Sequence, residues 1–118
     1  MRRTLSFALT LALAMVIASC NNLNVKPPKD LLSEDRMVEI ITDIEIIEGK
    51  LHFNNERNGN AEELKVSYYQ QLYEHHNITK EQFIDNLNYY TQKPELLENI
   101  MTRVVDSITK EQISLSKQ

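Results

Sequence analysis

The stretch "SEDRMVEIITDIEIIEGKL", residues 33–51, decides the fold. Its Met37, Ile40, Ile41, Ile44, Ile47 and Leu51 recur three and four residues apart, which draws one stripe along a helix and fits no strand. Ser33 is a good N-cap, and Glu34 and Asp35 complement the positive end of the first turn. The spacing predicts a helix beginning after Ser33 and burying a single face.

Toward the C-terminus, Asn54-Asn55-Glu56-Arg57-Asn58-Gly59 reads as a polar loop. Asn60 and Glu63 then have the spacing of a capping box. In the second helix Ala61, Leu64, Tyr68 and Leu72 form one stripe, and Val66, Tyr69 and Tyr73 a second on another side. Two apolar faces suit either a central helix or one whose second face meets a partner. Asn77 is a left-handed stop. Thr79 and Gln82 open a third helix in T-x-x-Q spacing, with Phe83, Leu87 and Tyr90 on one side. Pro94 suits the first turn of a fourth, whose stripe is Leu97, Ile100, Met101, Val104, Ile108 and Leu115. The expected fold is all-α, a small antiparallel bundle of about four helices.

Composition agrees. The chain has 118 residues, with 42% hydrophobic and 25% charged residues, which is enough for one globular domain. Two glycines and three prolines leave few breakers. The net charge is −4; subtracting Arg2 and Arg3, the only charges ahead of Cys20, leaves 11 basic against 17 acidic residues, or −6. A chain of that sign is not built for nucleic acid, whose binding rests on clustered Lys and Arg. One cysteine excludes an internal disulfide framework.

Upstream of the decisive stretch, Arg2 and Arg3 precede an apolar run from Leu5 to Ala18. The run falls short of the roughly 20 residues that span a bilayer, and its order of charge, apolar core and small residues is that of a secretory signal. Ile17-Ala18-Ser19-Cys20 resembles a bacterial lipobox, in which the cysteine sulfur becomes diacylglyceryl-modified. Residues 1–19 are thus expected to be a signal peptide, and Cys20 the lipidated first residue of the processed chain. Two or more acyl chains, palmitate among them, hold a protein stably on a membrane, at ~0.8 kcal/mol per buried CH₂. Asn21 in place of Asp points to the outer membrane, facing the periplasm. Residues 20–32, with Asn-rich and Pro27-Pro28 sequence, read as an extended, disordered tether reaching roughly 35 Å. Residues 33–118 remain for the helical domain.

Two stretches carry a family resemblance. "CNNLNVKPPKDLLSEDRMVEIITDIEIIEGKL" and "YYQQLYEHHNITKEQFIDNLNYYTQKPELLENIMTRVVDSI" resemble a family of small bacterial lipoproteins, domain of unknown function number 4296. Asp43, Glu48, His76, Ile78, Thr79, Phe83 and Tyr90 sit at matching places. Asn77 stands where the family has glycine, which fits a position needing positive φ. The resemblance implies a tethered helical lipoprotein and implies no chemistry.

The candidate binding residues are Glu48, Tyr69, Tyr73 and Tyr89. Glu48 projects within the stripe of Ile41, Ile44 and Leu51, where a carboxylate needs donors. It is either a structural tie, for instance to a tyrosine hydroxyl, or a polar anchor for a ligand or partner. Tyr69, Tyr73 and Tyr89 are the tyrosines that core packing explains least, and aromatics with polar tips suit interfaces. Glu45, Glu48 and His52 share a helix face but lack a second cluster of ligands, and no metal is expected. His75 and His76 point ~100° apart and are expected to serve the negative end of the second helix rather than one ion. Ser and Thr sit at caps, no Gly-rich phosphate loop exists and Cys20 is blocked, so neither an enzyme nor a cofactor is expected. The expected role is a protein-interaction or accessory module on the envelope, with an envelope protein as partner. The alternative is a chaperone-like holder of extended client chains.

Overall fold

The computed structural model describes residues 25–58 and 61–117. Cys20, the apolar run before it and the expected Asn60 cap lie outside the described residues. Among the described residues the fold is four α-helices, α1 (Glu34–Asn58), α2 (Ala61–His76), α3 (Lys80–Thr91) and α4 (Pro94–Ser116). No described helix is long and apolar enough to cross a membrane.

The helix ends follow local chemistry. Ser33 Oγ accepts from the Arg36 N–H at 3.3 Å, opening α1. Thr79 Oγ1 accepts from the Gln82 N–H at 3.0 Å, opening α3. Asn77, at φ 51°, is the only non-glycine with positive φ among the described residues. It turns the chain so that the Ile78 N–H reaches the Tyr73 carbonyl at 3.0 Å, satisfying the end of α2. Pro94 fills the first turn of α4, where its missing N–H is not needed.

The expected loop at Asn54–Gly59 is shorter than its composition suggests. Helix α1 runs on to Asn58, because polar residues tolerate an exposed helical turn as well as a loop. Of the two roles open to the second helix, the central one falls to α1 instead. α1 lies between α2 and α4, and α3 packs on α4. The core joins Met37, Ile40 and Ile41 of α1, Phe83 and Tyr90 of α3, and Ile100 and Val104 of α4. Each such side chain contributes about 1.5–3 kcal/mol by leaving water. From α2 only Leu72 and His76 are buried, and Val66 of its second stripe is 69% exposed. On α4, Met101 and Leu115 were expected inside and are exposed, as are residues 109–117 generally. The core of α4 ends at Ile108.

Directions within the bundle follow from cross-helix contacts. α2 returns along α1, pairing Tyr69 with Glu48 and His76 with Asp43. α4 then advances in the same sense as α1, with Asn99 donating to Glu34 and Arg103 to Asp35. The two exposed pairs between α1 and α4 mark register and contribute at most about 1 kcal/mol each. Helix α3, about 18 Å long by the rise per residue, carries the chain across the base between them.

The stretch ahead of α1 is fastened to that base. Asn86 of α3 is fully buried. Its Oδ1 accepts from the Leu32 N–H at 2.7 Å, and its Nδ2 donates to the carbonyls of Asp30 at 3.0 Å and Gln82 at 2.8 Å. The Tyr90 hydroxyl donates to the Leu32 carbonyl at 2.7 Å, and the Leu32 side chain packs against the core. The tether expected through residue 32 therefore stops short of residue 30. A residue whose backbone groups both find buried partners is part of the domain.

Candidate functional site

The expected site residues divide into two groups. Glu48 lies in the second half of α1 and faces α2. The Tyr69 hydroxyl donates to Glu48 Oε1 at 2.5 Å, and Lys65 Nζ stands 3.6 Å from the same oxygen. The Lys65 ammonium also lies 5.8 Å from the centre of the Tyr69 ring. Tyr73, one turn on, sets its ring 6.2 Å from that of Tyr69, tilted by 54°. Glu48 is thus tied to a tyrosine hydroxyl, with its side chain 43% exposed at the rim rather than sunk in the stripe. Burial pushes the Tyr69 phenol well above its ordinary value, and the hydrogen bond to anionic Glu48 pushes it further in the same direction. Tyr73 is raised by burial and by the charge of Glu81. Both hydroxyls therefore stay protonated donors across the physiological range. Tyr73 also borders an open cleft of about 400 Å³ with Gln70, Asn77 and Gln82.

Tyr89 does not join this group. Its ring meets Tyr90 edge to face at 5.3 Å, and the Lys93 ammonium stands 5.0 Å over it, at the junction of α3 and α4. The five tyrosines near the second and third helices therefore serve separate ends. Tyr68 lines a cleft between α1 and α2 with Ile46 and Leu72, and Tyr69 and Tyr73 form the α1–α2 rim. Tyr90 belongs to the core and the Leu32 strap, and Tyr89 sits at the α3–α4 turn. Tyr73 and Tyr89, expected to be the least explained by core packing, both pack against the core.

Asp43 and His76 were not expected as a pair. His76 is buried at the end of α2, and its Nε2 lies 2.8 Å from Asp43 Oδ2. The Arg36 guanidinium donates to the His76 carbonyl at 2.7 Å, which covers the end of α2 from the α1 side. Asp43 lies three residues after Ile40 and four before Ile47, and His76 four after Leu72. Both occupy stripe positions, and that spacing was the available signal. His75 and His76 also lie closer together at their ring nitrogens than their backbone spacing suggests. Ring nitrogens of both and a carboxylate oxygen of Asp43 lie within 4.8 Å of one another. Backbone spacing of ~100° does not stop two imidazoles from swinging toward a helix that lies beside them both. The Glu45–Glu48–His52 series does not form such a group among the described residues.

A family model described as domain of unknown function (DUF4296) matches residues 28–114. No curated protein and no solved structure matches the chain.

Proposed function

Because the chain belongs to the DUF4296 family, whose description names no activity, we propose that it is a lipid-anchored lipoprotein of the bacterial envelope whose helical domain docks a protein partner. In this reading Cys20 carries the acyl chains, the residues up to 29 space the body from the outer membrane on its periplasmic side, and the Glu48–Tyr69–Tyr73 rim meets the partner. The observation that carries the docking role is the held Tyr69–Tyr73 pair. Glu48 orients the Tyr69 hydroxyl in advance, and Val66, three residues before Tyr69 on the same helix face, is 69% exposed. Rigid aromatics with a polar tip supply contact area at little entropic cost. The lipobox-like Ile17–Cys20 supports the anchoring.

A photo-crosslinking residue at position 73, in wild-type and Cys20→Ala chains expressed in their native envelope, tests both parts. One specific crosslinked protein is expected from the wild type, with Cys20→Ala leaving the membrane fraction. No specific adduct would reject the docking role. Adducts with many unrelated unfolded chains would favour the holder of client chains. A Cys20→Ala chain still resistant to carbonate washing would reject the lipid anchor.

A further inference from the structure

We propose that Asp43, His75 and His76 form a binding site for a divalent transition-metal ion, zinc foremost, in which one carboxylate oxygen and two imidazole nitrogens leave a coordination position open. The three donor atoms lie within 4.8 Å of one another. Donors ~2.0–2.1 Å from one zinc ion are ~3.3 Å apart in a tetrahedron, so closing the set takes movements of at most ~1.5 Å at the side-chain ends. Two imidazoles and one carboxylate are a recurrent ligand set for zinc sites that keep a fourth position for water, and the same set suits other first-row ions.

The surroundings fit such a site. His76 is buried and already oriented, with its Nε2 on Asp43 Oδ2 at 2.8 Å. The tautomer with its proton on the other ring nitrogen frees Nε2, and the ion then takes the proton's place between the two groups. His75, set edge to face against His76 at 5.1 Å, is exposed and completes the set from the outer side. Asp43 and His75 border two open clefts, of about 430 and 350 Å³, so solvent or an external ligand reaches the open position. Thr42 Oγ1 is buried without a hydrogen-bond partner among the described residues, and Thr42 lines the smaller cleft. Arg36 borders the same cleft, but its guanidinium is engaged by Glu39 at 2.8 Å and by the His76 carbonyl. An ion here would staple the middle of α1 to the end of α2, and binding would stabilise the fold by linkage.

The test uses the full chain, purified in detergent through a tag without histidines, stripped with chelator and titrated with Zn²⁺ and with Co²⁺. The expected result is one equivalent bound, visible ligand-field absorption with Co²⁺, and a rise in melting temperature with Zn²⁺. His75→Ala is the decisive variant, because an exposed residue can be removed without disturbing the core. It is expected to weaken binding by more than ~100-fold, beyond the 10–100-fold that loss of an outer hydrogen-bond partner brings. His52→Ala is expected to bind as the wild type does. Absence of stoichiometric binding by the wild type, or equal binding by His75→Ala, would overturn the site and leave Asp43 and His76 as a structural hydrogen bond.

Discussion

Asn86 shows how one polar side chain organises a core of this size. It is fully buried and makes three hydrogen bonds, two of them to the strap at Asp30 and Leu32. Asn86→Ala removes all three and leaves a buried N–H and carbonyls without partners, at about 1–3 kcal/mol for each that water cannot reach. A loss of about 2–4 kcal/mol in urea unfolding is expected. Tyr69 makes a different prediction. Its phenol is raised in the folded state by burial first and then by Glu48, so the folded chain holds that proton where the unfolded chain, titrating near 10, gives it up. The stabilisation is complete below pH ~10 and is lost as the pH climbs above it, at up to ~1.4 kcal/mol per unit. Tyr69→Phe should therefore lower stability at pH 7 by about 1 kcal/mol and flatten the decline between pH 10 and 12, as followed by denaturant midpoints. At this scale the sequence is legible where a polar residue interrupts a stripe and its partner type is restricted. Glu48 could be read as tied to a tyrosine for that reason. Asp43, His76 and Asn86 also occupy stripe positions, but each can bond to many groups, so the spacing flags burial without naming the partner.

Among the elements, boundaries set by one residue's chemistry were readable and boundaries set by composition were not. Ser33, Asn77, Thr79 and Pro94 all stand at the helix ends their side chains favour. The polar run at Asn54–Gly59 was misleading, since α1 continues through most of it. Asn77, with φ 51°, gives a direct test. A side chain other than Asn or Asp pays about 1–2 kcal/mol for left-handed backbone, and glycine pays none. Asn77→Ala is expected to lower stability by about 1 kcal/mol, and Asn77→Gly to leave it equal or higher, as thermal melts followed by circular dichroism will report. The end of α4 makes the complementary case. Residues 109–117 are exposed beyond the last core contact at Ile108, so deleting residues 112–118 should cost less than about 1 kcal/mol and leave the urea midpoint nearly unchanged.

For the whole molecule, the count and type of helices were legible because hydrophobic periodicity is local. Their neighbours were not, because periodicity marks a buried face without saying what buries it. Helix α2 has two apolar stripes and still lies to one side, while α1, with one stripe, meets both α2 and α4. The strap was hidden for the same reason: Pro27-Pro28 and the asparagines read as spacer, and only the fold reveals that Leu32 packs inside. Chains comprising residues 25–118 and 33–118 should therefore differ by about 3 kcal/mol in urea unfolding, since the shorter one loses the Leu32 side chain and the bonds from Asn86 and Tyr90. That fastening has a mechanical side. Tension applied to the chain ahead of residue 30 does not peel α1 off from its first turn; it arrives at Asn86 and Tyr90 and is shared between two side chains of another helix before α1 feels it. A body gripped in this way can be tugged from its leading end with the load spread into its base.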